Sequence, residues 1–193
     1  MSSLHLSPPL PDLAATRSRD GAAVITGVRG YHQLDGFSCG AAAAATVVRA
    51  YTGELEFPDW REIVRSTRPH QDTGTPTRRL KAAITACGFG FTTSRGLKKA
   101  AAKRTILAGD MLVTTVRMPG QRDDATHWVV IVGYSEDSLL VVNCTGLPLF
   151  SKRWISWEDL ERRRSPNEVS VHVKTGLTDW VSDRLVRTPR IRK

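Results

Sequence analysis

Gln33-Leu-Asp-Gly-Phe-Ser-Cys39-Gly40, running straight into Ala41 to Ala45, is the stretch from which the rest of the 193-residue chain is best read. Small residues in an unbroken run let a helix pack closely on its neighbours, and they place Cys39 in its first turn. The first four N–H groups of a helix have no partner within it, and the positive end of its dipole lies there too. Both favour thiolate over thiol, so Cys39 is a candidate nucleophile. Gln33, six positions earlier, brings an amide that can hold an oxyanion. The competing reading is a small buried hydrophobe, the usual fate of an intracellular cysteine.

Length and composition allow one substantial core, with 40% of residues hydrophobic. Cys39, Cys87 and Cys144 form no C-x-x-C pair and are too few for a disulfide framework, which suits a reducing compartment. Residues 1–20 hold Pro8, Pro9 and Pro11 without an apolar signal region, and read as a flexible arm. No segment reads as transmembrane, so the expected location is cytoplasmic, or exported without a classical signal peptide. A formal charge of +9 favours anionic partners. Arg162 to Arg164 read as a solvated helix face. The five cations between Arg184 and Lys193 form a basic tail suited to an acidic protein or another anionic surface. Nucleic acid is the weaker partner, since no aromatic platform interleaves with the cations.

Helical signals dominate the first half. A helix is expected from Ser38 to Tyr51, stopped near Gly53, and a second opens at Pro58. Thr77 caps a third, with Leu80, Ala83, Ile84 and Cys87 at helical spacing and Gly88 and Gly90 ending it. Helical character returns over Leu97 to Leu107. Strands then follow at Met111–Val116, Trp128–Val132 and Leu139–Val142, the last two close enough for an antiparallel hairpin. Trp157–Arg164 reads as a short helix and Val169–Val173 as a late strand. The expected fold class is α+β, an N-terminal helical part packed on a C-terminal antiparallel β-sheet. Its boundaries are a flexible arm at 1–20, one domain at 21–176 and a basic tail at 177–193.

Of five histidines, His127 stands out because it immediately precedes the strongest strand, Trp128-Val-Val-Ile-Val132. A strand mouth holds an imidazole firmly enough for proton transfer. Asn143 ends the next apolar strand, so a hairpin brings both to one sheet end, where an amide can orient the ring. An edge histidine and a turn-forming asparagine are the plainer readings. Trp128, Trp154 and Trp157 read as core residues, with Trp157 also placed to shield the His127–Asn143 pair. Asp35 reads as a turn former that shapes the loop holding Gln33.

These pieces together resemble the papain-like cysteine peptidases, closest to the C39-like, bacteriocin-processing branch. Gln33-x5-Cys39-Gly40, His127-Trp-Val-Val-Ile-Val-Gly133-Tyr134 and Leu139-Leu-Val-Val-Asn143 carry the likeness. Gly74-Thr75 and Ala108-Gly-Asp-Met-Leu-Val113 add to it. The resemblance implies a papain-like fold with Cys39 as nucleophile, His127 as general base and acid, Asn143 as orienting partner and Gln33 as oxyanion donor. One departure is that the C39-like branch usually carries Asp-Pro where this chain has Asn143-Cys144. Asparagine is the papain-type choice and orients the base without a full negative charge.

The implied activity is hydrolysis of a peptide or isopeptide bond through a thioester acyl-enzyme, with a peptide or protein as substrate. No cofactor or metal is called for, since Asn143 is a poor zinc ligand and no third Cys or His is well placed. A thiol acyltransferase or deamidase would share every one of these residues, differing only in what attacks the thioester. A catalytically idle, basic interaction domain is the alternative outside enzymes.

Overall fold

The alanine-rich run folds as its side chains require. In the computed structural model, which describes residues 15–17, 20–33, 35–53, 57–117, 126–143, 152–163 and 169–177, it forms helix α1 (Cys39–Thr52). Every residue from Cys39 to Val48 is buried. A helix apolar on all sides has no solvent face and becomes the centre of a core. Its two buried threonines turn their hydroxyls onto its own carbonyls, Thr46 Oγ1 to Ala42 O at 2.8 Å and Thr52 Oγ1 to Val48 O at 2.9 Å. Gly53 stops it at φ 88°, a left-handed conformation that glycine adopts without steric cost.

Four shorter helices follow: α2 (Phe57–Thr67), α3 (Thr77–Ala86), α4 (Lys99–Leu107) and α5 (Trp157–Arg162). The strands are β1 (Ala15–Arg17), β2 (Ala23–Ile25), β3 (Phe89–Arg95), β4 (Met111–Arg117), β5 (Thr126–Tyr134), β6 (Ser138–Asn143), β7 (Lys152–Ser156) and β8 (Val169–Leu177). All pair antiparallel in one sheet. Strand β5 is its hub. β6 lies along one edge from Val129 to Tyr134, which leaves the opposite edge to β4 over Thr126–Ile131 and to β2 over Gly133–Tyr134. β8 and β3 continue beyond β4, and β7 lies outside β6. Helices α1 and α4 both pack on β5, which is buried over all but its first residue. The fold is thus α+β, helices against an antiparallel sheet.

Several expectations need correction. Ala15–Arg17, inside the stretch read as a flexible arm, pairs with Ala23–Ile25 and extends the sheet. Strand β3 was missed because Gly88 and Gly90 read as one helix stop. Only Gly88, at φ 86°, performs that turn, and Gly90 lies inside the strand. Thr77 is the first residue of α3, not its cap; Pro76 occupies the cap position without a side-chain bond. Strand β8 runs on from Val173 to Leu177. Strand β7 carries no alternation strong enough to announce it, and Trp154 on it is 45% exposed, outside the core where it was expected. Trp157 sets its ring edge-on to Tyr134 at 6.3 Å. That is the far end of β5 from His127, so Trp157 shields neither His127 nor Asn143. The basic tail from 178 onward, Arg164 and Cys144 lie outside the described residues. Arg162 pairs at the surface with Glu158 and Asp159, as a solvated helix face does, whereas Arg163 is partly buried where it pairs with Asp159.

His172 ties three elements together. From β8 its Nε2 meets Ser94 Oγ on β3 at 3.0 Å, and its Nδ1 meets Thr105 Oγ1 on α4 at 3.0 Å. Burial holds its pKa below the ordinary 6.5; the Asp110 charge pulls the other way, and the Arg104 charge adds a lesser push downward. The folded chain therefore binds this proton less readily than the unfolded chain. Its contribution to stability is intact above the unfolded value and is lost as the pH falls below about 6.5. Urea midpoints should drop between pH 7 and pH 5, and His172→Gln should flatten that slope. An unchanged slope in the variant would remove His172 from the account.

Candidate functional site

The segment leading into α1 is fastened to the helix before it reaches Gln33. The Tyr31 N–H donates to Thr46 Oγ1 at 2.8 Å, and the Tyr31 ring stacks on Trp60 at 4.6 Å. Thr46 was not singled out from the sequence, although a lone hydroxyl in an Ala/Val helix is a legible signal. Gln33 is buried, and its Nε2 donates to the Asp35 carbonyl at 2.5 Å. The exposed Asp35 turns its carboxylate back into the loop. Oδ1 accepts from the Phe37 N–H at 2.8 Å and the Ser38 N–H at 2.6 Å. This is the turn-forming role expected of it. Burial pulls the Asp35 carboxyl up, but the hydrogen bonds from Phe37, Ser38 and Gln33 outweigh it, and the net direction is down.

Cys39 is the first residue of α1 and is buried at 5% exposure. Its sulfur lies against the backbone N–H groups of Trp128, Gly40 and Cys39 itself. The helix-start donors anticipated from the sequence are therefore present, and β5 adds one more. They do not decide the resting state. Burial pushes the Cys39 thiol up, the Asp35 charge adds to that, and the N–H groups only partly offset both. The expectation that a helix start alone favours thiolate is corrected here: desolvation is the larger effect.

Trp128 is the residue after His127, so the sulfur sits one residue along β5 from the imidazole-bearing position. His127 is the second residue of β5, inside the strand and not before it, and is buried. Asn143 is the last residue of β6 and pairs with Val129. Residues two apart on a strand share a face, so positions 127 and 143 lie on one face of the sheet, offset diagonally by one residue pair. The hairpin thus brings these positions to one sheet end, and α1 brings Cys39 to the same strand.

Thr75 completes this wall. The Trp128 indole Nε1 donates to the Thr75 carbonyl at 2.8 Å, and the Thr75 side chain fills the space where a Cβ on residue 40 would lie. Gly40 is therefore glycine because Thr75 is there. Gly40→Ala should destabilise the fold by about 1–3 kcal/mol in urea titration, the usual cost of overpacking. Adding Thr75→Gly should recover part of the loss, since the two changes share one contact. Additive losses would show that the contact does not matter. Three buried polar atoms hereabouts, Gln33 Oε1, Ser38 Oγ and Thr75 Oγ1, have no hydrogen-bond partner among the described residues. Among the described residues, no group of three His, Cys, Asp or Glu could hold a metal ion, and no helix is long and apolar enough to cross a membrane.

No family profile matches the chain, and no curated protein matches it. Solved structures do. A putative C39-like peptidase from Bacillus anthracis aligns with a TM-score of 0.63 at 14% identity, over 80% of this chain and 98% of that one. The peptidase domain of Streptococcus ComA, a bi-functional ABC transporter involved in a quorum sensing pathway, aligns at 0.59 and 15% identity, over 75% and 98%. A double glycine motif protease from an AMS/PCAT transporter, in complex with the leader peptide, aligns at 0.53 and 16%, over 86% and 98%. At such identities the shared property is the three-dimensional arrangement, and the arrangement of this chain is the papain-like fold of the C39-like peptidase domains.

Proposed function

We propose that this protein is a cysteine peptidase that hydrolyses a peptide or isopeptide bond through a thioester acyl-enzyme. One observation carries the reading: the Cys39 sulfur lies against the Trp128 N–H, next to His127, on the strand whose hairpin partner ends at Asn143. Cys39 is the nucleophile and His127 takes its proton. Because burial holds the resting thiol protonated, the thiolate forms only as an ion pair with His127, whose ring Asn143 orients. Attack on the carbonyl carbon makes the S–C bond and moves the π electrons onto oxygen. The Cys39 N–H and the Gln33 amide receive that oxyanion. Collapse expels the amine with the proton from His127, and water then releases the acid. The substrate is a peptide or protein, and the basic tail contacts an acidic or other anionic surface.

Brief treatment with a thiol-reactive peptide probe, followed by peptide mapping, tests the assignment. Cys39 should be labelled well before Cys87 and Cys144, and His127→Ala should erase the difference. Equal labelling of all three cysteines in the wild-type chain would reject an activated thiol.

A further inference from the structure

We infer that Asp35 is the positioning residue of the oxyanion site, its carboxylate and carbonyl holding the Gln33 amide and the backbone entering Cys39 as one rigid unit. The inference rests on the peptidase reading above and extends it to a residue outside the proposed triad.

Asp35 makes contacts in both directions along the chain. Behind it, its carbonyl takes a hydrogen bond from Gln33 Nε2. Ahead of it, Oδ1 takes the N–H groups of Phe37 and Ser38. Ser38 is the residue whose carbonyl opens the helix by accepting from the Ala42 N–H at 3.0 Å. The two donors proposed for the oxyanion, the Gln33 amide and the Cys39 N–H, lie on either side of Asp35, which holds the first at its carbonyl and the residue before the second at its carboxylate. A primary amide has two N–H bonds in one plane, so anchoring one on a carbonyl fixes where the other points.

The anchoring is needed because little else among the described contacts holds the amide. Gln33 Oε1 is buried without a partner, so the amide plane is fixed through its nitrogen. Ser38, the residue at the helix cap, makes no side-chain cap bond. Asp35 instead braces the two residues that lead into the helix, through the Phe37 and Ser38 N–H groups. A turn former needed only for folding would be equally well served by a side chain that satisfied Phe37 and Ser38. The Gln33 anchor is the main-chain carbonyl of the same residue, so the carboxylate reaches the amide by fixing the turn that places that carbonyl. Its negative charge, close enough to push the Cys39 thiol up, opposes thiolate formation. A residue present only to activate the nucleophile would not carry that charge.

Two probes of Cys39 separate these roles. A peptide aldehyde forms an S–C bond as its C=O π bond opens, giving a hemithioacetal whose oxygen uses the oxyanion donors. Iodoacetamide alkylates the same sulfur by displacing iodide and needs no such donors. Asp35→Ala and Gln33→Ala should each weaken aldehyde binding by about 10²-fold, the scale of losing one oxyanion donor. Iodoacetamide alkylation of Cys39 in Asp35→Ala should be as fast as in the wild type or faster, because the opposing charge is gone. Both variants keep the main-chain carbonyl, but only Asp35→Asn keeps a side-chain oxygen for the Phe37 and Ser38 N–H groups, and it should recover most of the aldehyde affinity. The Gln33→Ala/Asp35→Ala double variant should bind aldehyde no more weakly than Gln33→Ala, since both act through one group. Thermal unfolding of each variant identifies any that fails to fold, and Asp35→Asn then carries the comparison. Unchanged aldehyde affinity in folded Asp35→Ala, or losses that multiply in the double variant, would overturn the inference. If wild-type Cys39 shows no selective alkylation, it is the peptidase reading that has failed.

Discussion

His127→Ala should lower kcat/KM on a peptide cleaved by the wild-type chain by about 10⁴-fold or more, and Cys39→Ala should abolish turnover altogether. The reason lies in the balance of forces at the sulfur. Three backbone N–H groups surround it, yet burial and the nearby Asp35 charge keep the thiol protonated. On the proposed mechanism, loss of the base on β5 should leave no nucleophile, since the helix start does not offset burial at the sulfur. Because nucleophile and base act on one proton, the double variant should be scarcely worse than Cys39→Ala. Turnover in a library of fluorogenic peptides, with circular dichroism to confirm folding, measures this. Appreciable turnover by folded Cys39→Ala would end the thiol mechanism.

Gln33→Ala should cost about 10²–10³ in kcat with little change in KM, because an oxyanion donor strengthens its bond only as charge develops on the carbonyl oxygen. The one hydrogen bond given for the Gln33 side chain goes to the carbonyl of Asp35 in its own loop, so its loss should leave the fold largely intact. A rise in KM at constant kcat would instead make it a substrate-binding residue. The leaving group offers a further check. Ester and amide substrates pass through similar oxyanions, so both should lose rate together.

The elements that carry these residues were legible for identifiable reasons. Helix α1 announced itself because a continuous run of small apolar residues ending in glycine has no other stable use in a chain this size. Strands β5 and β6 were legible because Trp128–Val132 and Leu139–Val142 are apolar and β-branched, the mark of strands buried on both faces. Strand β3, Phe-Gly-Phe-Thr-Thr-Ser-Arg, was not. It lies at the border of the sheet with a mixed exposed face, and its glycine reads as a break. Strand β7 was hidden for the same reason. Its four exposed positions suit an edge that only one neighbour covers.

At the site the division runs between residue types and their surroundings. The sequence alone determined that a cysteine would start a buried helix, that a histidine and an asparagine would stand on adjacent antiparallel strands, and that Asp35 would make a turn. Those follow from local preference and from period-2 patterning, which nearest neighbours decide. Only the tertiary structure decided that Thr75 makes Gly40 obligatory, that the Trp128 N–H reaches the Cys39 sulfur, and that Thr46 fastens the segment leading to Gln33. It alone also decided the sign of the Cys39 shift. Helix-start donors are local and can be read from a string of letters. Desolvation depends on everything packed around the sulfur, and no stretch of sequence states that.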